Sequence, residues 1–168
     1  VNNFKEIKLT ELPFSPFDIK DKWMLVTAQK DGKVNTMTAS WGMFGIMWNK
    51  EVVSVVIRPQ RYTKEFIDNA DSFSITLFDK NFKKELGYLG TVSGRDEDKI
   101  AKAGLTVVHK NNVPFFDEAE VVIIAKKLYS QPWDGDFFVD AKLIDQWYPE
   151  KDFHTMYVAE IETVLKKD

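Results

Sequence analysis

The chain has 168 residues, 44% of them hydrophobic and 14% aromatic, enough for one domain to bury a core without metal or disulfide support. A formal charge of −3 and a pI near 5.5 argue against a nucleic-acid binder, whose affinity for phosphate backbones comes from clustered Lys and Arg. With no cysteine there is no disulfide, thiolate nucleophile or cysteine metal site, which fits a cytoplasmic location.

Apolar runs such as Val52–Ile57 and Val121–Ala125 are too short to cross a bilayer, and the amino-terminal segment lacks the apolar stretch of a signal peptide. A soluble protein with no membrane partner is expected. No repeat, low-complexity tract or linker interrupts the sequence, so residues 1–168 read as one domain.

In chain order, Trp23–Gln29 and Val34–Ser40 read as strands around Lys30-Asp31-Gly32-Lys33, whose Asp-Gly pair is a hairpin signal. Val52–Ile57 is a buried strand by its β-branched density, and Pro59 ends it. Tyr62–Ala70 is predicted helical, with Thr63 as cap and Phe66, Ile67 and Ala70 inward. Ser72–Phe78 alternates as a strand; Asn81–Leu89 spaces Phe82, Leu86 and Leu89 on one helical face. Asp96–Ala103 is a short helix stopped by Gly104. Leu105–Val108, Glu120–Ser130, Phe138–Trp147 and Thr155–Leu165 are predicted strands. Strands with short helices between them favour an antiparallel barrel with peripheral helices, a mainly β fold, over a doubly wound sheet.

Two blocks carry chemistry. In Asn35–Gly42, Thr36, Thr38 and Ser40 share one strand face; in Ile57–Phe66, Arg58 and Arg61 flank the start of a helix. A helix start leaves backbone N–H groups unpaired at the positive end of its dipole, and arginine forks suit phosphate oxygens. The pair reads as a site for a ligand that is polar along its length and phosphorylated at one end. The same residues also suit a plain capped helix, with the arginines paired to Glu65, Asp68 or solvent, and an ordinary half-exposed strand with Met37, Ala39 and Trp41 in the core. His109 sits in a polar turn and reads as surface, Trp133-Asp134-Gly135-Asp136 as a loop or a packing turn, and the acidic residues have no metal-ligand spacing.

Asn35–Gly42, Ile57–Phe66, Ser93-Gly94-Arg95-Asp96 with Asp98-Lys99, Lys127-Leu128-Tyr129 and Asp152–Ile161 together resemble the flavin reductase-like family, in its flavoredoxin-like branch, from about Phe4 to Val164. The resemblance implies an FMN-binding split β-barrel, a homodimer with flavin near the subunit interface, and an FMN-dependent oxidoreductase. NADH or NADPH would be the transient donor, with electrons passed to free flavin, a partner protein or another acceptor. An FMN electron carrier without nicotinamide activity and a flavin-binding module without turnover are the alternatives. Residue by residue it implies Thr36, Met37, Thr38, Ala39, Ser40 and Trp41 along the ring and ribityl chain. Arg58, Arg61, Tyr62 and Thr63 fall at the phosphate, and Leu89, Gly90, Ser93, Gly94, Arg95 and Lys99 in a second loop. His154, with a catalytic role, falls near the ring; read from the residues alone, it could equally be a hydrogen-bonded structural histidine. The family pattern has cysteine near Leu89 and Ala125, and this chain has none, which removes any thiol role.

Overall fold

The structure, a computed structural model, describes residues 3–168. Ten strands are present among them: β1 (Phe4–Glu6), β2 (Met24–Lys30), β3 (Lys33–Ala39), β4 (Gly42–Met47), β5 (Lys50–Ile57), β6 (Ser72–Leu77), β7 (Val107–Lys110), β8 (Val113–Phe116), β9 (Val121–Pro132) and β10 (Thr155–Lys167). The helices are α1 (Ile19–Lys22), α2 (Tyr62–Asn69), α3 (Lys83–Thr91), α4 (Lys99–Lys102) and α5 (Lys142–Trp147). All pairings are antiparallel. The main sheet runs β3-β2-β6-β9-β10-β5-β4, with β1 added to β10, and β7 and β8 form a separate hairpin.

One connection defines the shape. β3 and β4 lie at opposite ends of the sheet order, yet only Ser40 and Trp41 separate them in sequence. Three backbone steps span at most about 10 Å. The sheet must therefore roll until its two edges meet at that corner, while they share no ladder along the rest of their length. The result is a barrel joined at one corner and split elsewhere. Two register irregularities in the β9–β10 ladder, between Val158 and Ala159 and between Ile161 and Thr163, give these long strands the local bend a rolled sheet needs.

Strand β2 is buried at Met24, Leu25, Val26, Thr27 and Ala28 without alternation, because both of its faces are covered. Val26, Val55, Phe73, Ile123 and Tyr157 fill the barrel interior with Phe66 and Ile67 of α2; Leu25, Val122 and Ile124 pack outward beneath Leu86 and Leu89 of α3 and Phe115 and Phe116 of β8. The hairpin turn at Asp31-Gly32 takes φ of 49° and 75°, the left-handed pair that an Asp-Gly turn supplies at least cost.

The structure departs from the sequence reading at several places. Residues 138–147 are not a strand: Lys142–Trp147 form a helix whose N-cap is Ala141, Lys142 N–H donates to Asp140 Oδ1 just ahead of it (3.1 Å), and Leu143, Ile144 and Trp147 have helical spacing. Thr63 is not a cap: Arg61 holds that position with no side-chain bond, and the Thr63 hydroxyl instead accepts from Asn35 Nδ2 at 2.9 Å. The helix expected from Asp96 begins only at Lys99, where Asp98 caps it through Ala101 N–H. Gly104 ends it with φ of 70°, as expected. His109 is exposed but lies on β7 rather than in a turn, and bonds Gln29 Oε1 at 2.7 Å. Strands β1, β4 and β8 were not anticipated: β4 is an exposed edge rich in Gly and Met, and β1 and β8 are only three and four residues long.

Candidate functional site

The joined corner of the barrel carries a continuous groove. Its middle, about 180 Å³, is lined by Met37–Trp41 from the end of β3 and the linker, Val56 and Arg58 from β5 and its exit, Arg61, Trp147 and His154. On one side it opens past Arg58 and Arg61 into a hollow of about 370 Å³ bounded by Asn35, Tyr62, Thr63, Ser93 and Lys99. On another it continues for about 250 Å³ between Thr38–Ser40 and α3, at Leu86, Gly87 and Gly90. Arg61 lines all three parts. A roomier hollow of about 610 Å³ adjoins at Asn35 and Lys99, but its wall mixes Lys33 and Arg95 with Asp96, Glu97 and Asp98, so it offers no single charge preference.

The 370 Å³ end is built for an anion. Arg61 Nη1 donates to Gly90 O at 2.6 Å, and Lys99 Nζ donates to Leu89 O and Val92 O, both at 2.9 Å. Among the described residues neither cation has a carboxylate partner. Burial, and then the Arg61 charge, pulls the Lys99 ammonium down to about 8; burial, and then Arg58, lowers Arg61 in the same way. The first turn of α2 faces the same hollow, and among the described residues the Tyr62 and Thr63 N–H groups have no backbone acceptor. Because Thr63 Oγ1 accepts from Asn35, its own proton remains available to donate. Clustered donors and like charges, one buried and one half-buried, are relieved by one multiply charged anion.

Arg58 works differently. It pairs with Asp152 Oδ2 (2.6 Å), donates to Trp147 O (2.7 Å) and lies over the Tyr148 ring at 4.9 Å, so it ties the 133–153 excursion to the barrel. Gln60 Nε2 also donates to Asp152 Oδ2 at 2.8 Å, and these two bonds, Gln60's first, hold that carboxyl below the usual range. His154 sits in the aromatic wall formed by Trp41, Trp133 and Tyr148, with ring centroids 5.2, 5.6 and 5.5 Å away. Burial, and then Arg58, lowers it to about 4, so it is neutral at pH 7.

Of the residues that the sequence nominated, Met37, Thr38, Ala39, Ser40, Trp41, Arg58, Arg61, Tyr62, Thr63, Gly90, Ser93, Lys99 and His154 meet along the groove. Thr36 does not reach it: its hydroxyl bonds Thr27 Oγ1 (2.8 Å) and Val26 O (3.1 Å) inside the sheet. Leu89 offers its carbonyl to Lys99, while its side chain lies in the outer core. Arg95 turns outward to pair with Glu65 and cover the Tyr62 ring at 4.5 Å. Gly94 lies behind the groove, where a Cβ would strike Asn35 Oδ1. The sequence reading missed Asn35, which orients Thr63, along with Val56, Trp147, Tyr148 and Asp152. Only the Asn35 signal was within reach, since it stands inside the hydroxyl block; Arg58 and Asp152 are 94 positions apart.

The domain model described as "Flavin reductase like domain" matches residues 18–168. An uncharacterized protein of Aeropyrum pernix is 31% identical over 103 residues, covering 60% of this chain, and the chain spans only 39% of that relative. The fold is similar to the FMN-binding domain of a flavin reductase-like enzyme from Shewanella baltica, with TM-score 0.72, 18% identity, and 98% of this chain and 78% of that one covered. It is also similar to the flavoredoxin of Desulfovibrio vulgaris, with TM-score 0.66, 24% identity, and 87% and 68% covered. The rolled sheet joined at one corner is thus a split barrel, as expected.

Proposed function

Because the chain belongs to the flavin reductase-like family, we propose that the corner groove binds FMN and that the protein is an FMN-dependent oxidoreductase reduced by NADH or NADPH. The observation that carries this reading is the Arg61–Lys99 pair beside the start of α2, a half-buried and a buried cation with no carboxylate partner among the described residues. The phosphate would sit against Arg61, Lys99, Thr63 and the α2 N–H groups, and the ring against Thr38–Trp41, near His154. Bound FMN supplies the hydride and electron chemistry. The chain's own residues bind the phosphate, fix the ring against β3, and narrow its access with Trp41 and Trp147, whose rings meet edge to face at 5.1 Å. Neutral His154 presents a polar nitrogen there without adding charge.

The resemblance to flavoredoxin favours a second reading, an FMN electron carrier without nicotinamide activity. Anaerobic rapid mixing separates the two. The reductase bleaches quickly with NADH or NADPH, whereas a carrier bleaches only with a protein or chemical donor; a purified protein that neither contains nor takes up FMN would refute both.

A homodimer is part of the proposal. The outer edge at β4 exposes Met43, Ile46, Met47 and Trp48, and Trp48 stands 6.4 Å from the half-exposed Tyr129 ring. An apolar strip of this kind suits a second copy. Light scattering of the FMN-loaded protein should give twice the chain mass; a monomer at every concentration would reject it.

A further inference from the structure

Tyr148 is 2% exposed, and its hydroxyl has one hydrogen-bond partner among the described residues, His154 Nδ1 at 2.6 Å. Its ring is boxed by Phe153 (5.0 Å), Phe138 (5.7 Å) and the Arg58 guanidinium, which fixes the hydroxyl oxygen beside Nδ1, the one acceptor within its reach among the described residues. A buried O–H that fails to donate costs the full desolvation of that group. The Tyr148 proton must therefore point at Nδ1, and a neutral imidazole whose Nδ1 accepts carries its own proton on Nε2. Nε2 has no partner among the described residues. Neither is it sealed: the buried, unpartnered side-chain polar atoms among them are Ser54 Oγ, Thr76 Oγ1 and Glu85 Oε2. Since His154 lines the middle of the groove beside Trp41, Ser40 and Arg61, Nε2 opens there.

We infer that Tyr148 is a positioning residue that locks His154 in the Nε2–H tautomer, so that the middle of the groove offers a neutral donor to an oxygen acceptor on a planar ligand. This rests on the reading of the groove as an FMN site. The oxygen comes either from a flavin ring carbonyl or from a second, carbonyl-bearing reactant. Arg58, Arg61 and the Ser40 hydroxyl on the same wall are donors too, so a ligand that brings only N–H groups or positive charge is disfavoured.

Nitrogen-15 NMR of the imidazoles reads the tautomer directly, with His109→Gln leaving a single histidine to assign. In the ligand-free protein at pH 7, Nε2 is expected in the protonated range and Nδ1 in the unprotonated range; a proton on Nδ1 would overturn the inference. Tyr148→Phe, which keeps the ring packing, should populate both tautomers, and an unchanged Nε2–H population would deny Tyr148 its role. Added FMN that shifts the Nε2–H signal identifies the flavin carbonyl as acceptor. A shift that appears only when acetophenone follows FMN, and not with the near-isosteric α-methylstyrene, identifies a second reactant. No shift with either, in protein that has taken up FMN by its absorbance, would refute the donor role. Failure to take up FMN at all would instead refute the flavin site, with the tautomer already measured in the ligand-free protein.

Discussion

Lys99 shows how one buried amine links the site to pH. Its ammonium is held by two carbonyls and lowered to about 8 by burial and by Arg61, against an ordinary lysine value of 10.5. Between about pH 8 and 10.5 the unfolded chain then binds the proton that the folded chain has lost, so this group makes the ligand-free protein more stable as pH rises through that window. A bound phosphate favours charged Lys99 and reverses the preference: FMN affinity should fall as pH rises above about 8. One charge-assisted bond contributes about 1.5–3 kcal/mol, about tenfold or more in affinity. Titrations of FMN fluorescence from pH 7 to 9.5 should show this fall in the wild type and a flatter profile in Lys99→Met. The same slope in both would remove Lys99 from the phosphate site. From sequence, Lys99 was reached only through the family resemblance, because a lysine in a charged run gives no sign that folding will bury it.

At the scale of elements, the start of α2 is held in place by a chain of contacts from β3. Asn35 on β3 donates to Thr63 in the first turn of the helix, and Gly94 packs so closely behind Asn35 that any Cβ would displace the amide. Gly94→Ala should therefore release Thr63 and cost stability by about 1–3 kcal/mol, as overpacking does. FMN binding should weaken in the same variant, as measured by denaturant unfolding and flavin titration side by side. A variant that matches the wild type in both would mean the loop yields without touching α2. The β2–β3 hairpin, the Val52–Ile57 strand and α2 were legible because turn chemistry and apolar period are local signals. The helix at 142–147 was not: the run that opens on Phe138 and Val139 looks like a strand until Asp140, which accepts from Lys142 N–H, is recognised as a turn residue ahead of the helix. The edge strand β4 was hidden for the opposite reason, since a strand exposed on one side with two glycines lacks the usual pattern.

For the molecule as a whole, the rolled sheet turns two distant pieces of sequence order into one site. The Ser40–Trp41 linker joins the two sheet edges, and β5, next to β4, delivers Arg58, Arg61 and α2 beside the end of β3. The hydroxyl block and the arginine block were visible in the sequence; their meeting at one corner follows from the closure, and the 133–153 excursion that adds Trp147, Tyr148 and Asp152 to the wall was beyond local signals. No helix among the described residues is long and apolar enough to cross a membrane. FMN and riboflavin differ only by the terminal phosphate, so they separate the cationic end of the groove from the rest. The dissociation constants of both ligands, for wild type and Arg61→Ala, test the central claim most directly. Wild type should bind FMN far more tightly than riboflavin, and Arg61→Ala should weaken FMN by roughly 10- to 100-fold while leaving riboflavin almost unchanged. Equal losses for the two ligands would contradict the account, placing Arg61 in support of the fold or the ring and the phosphate elsewhere.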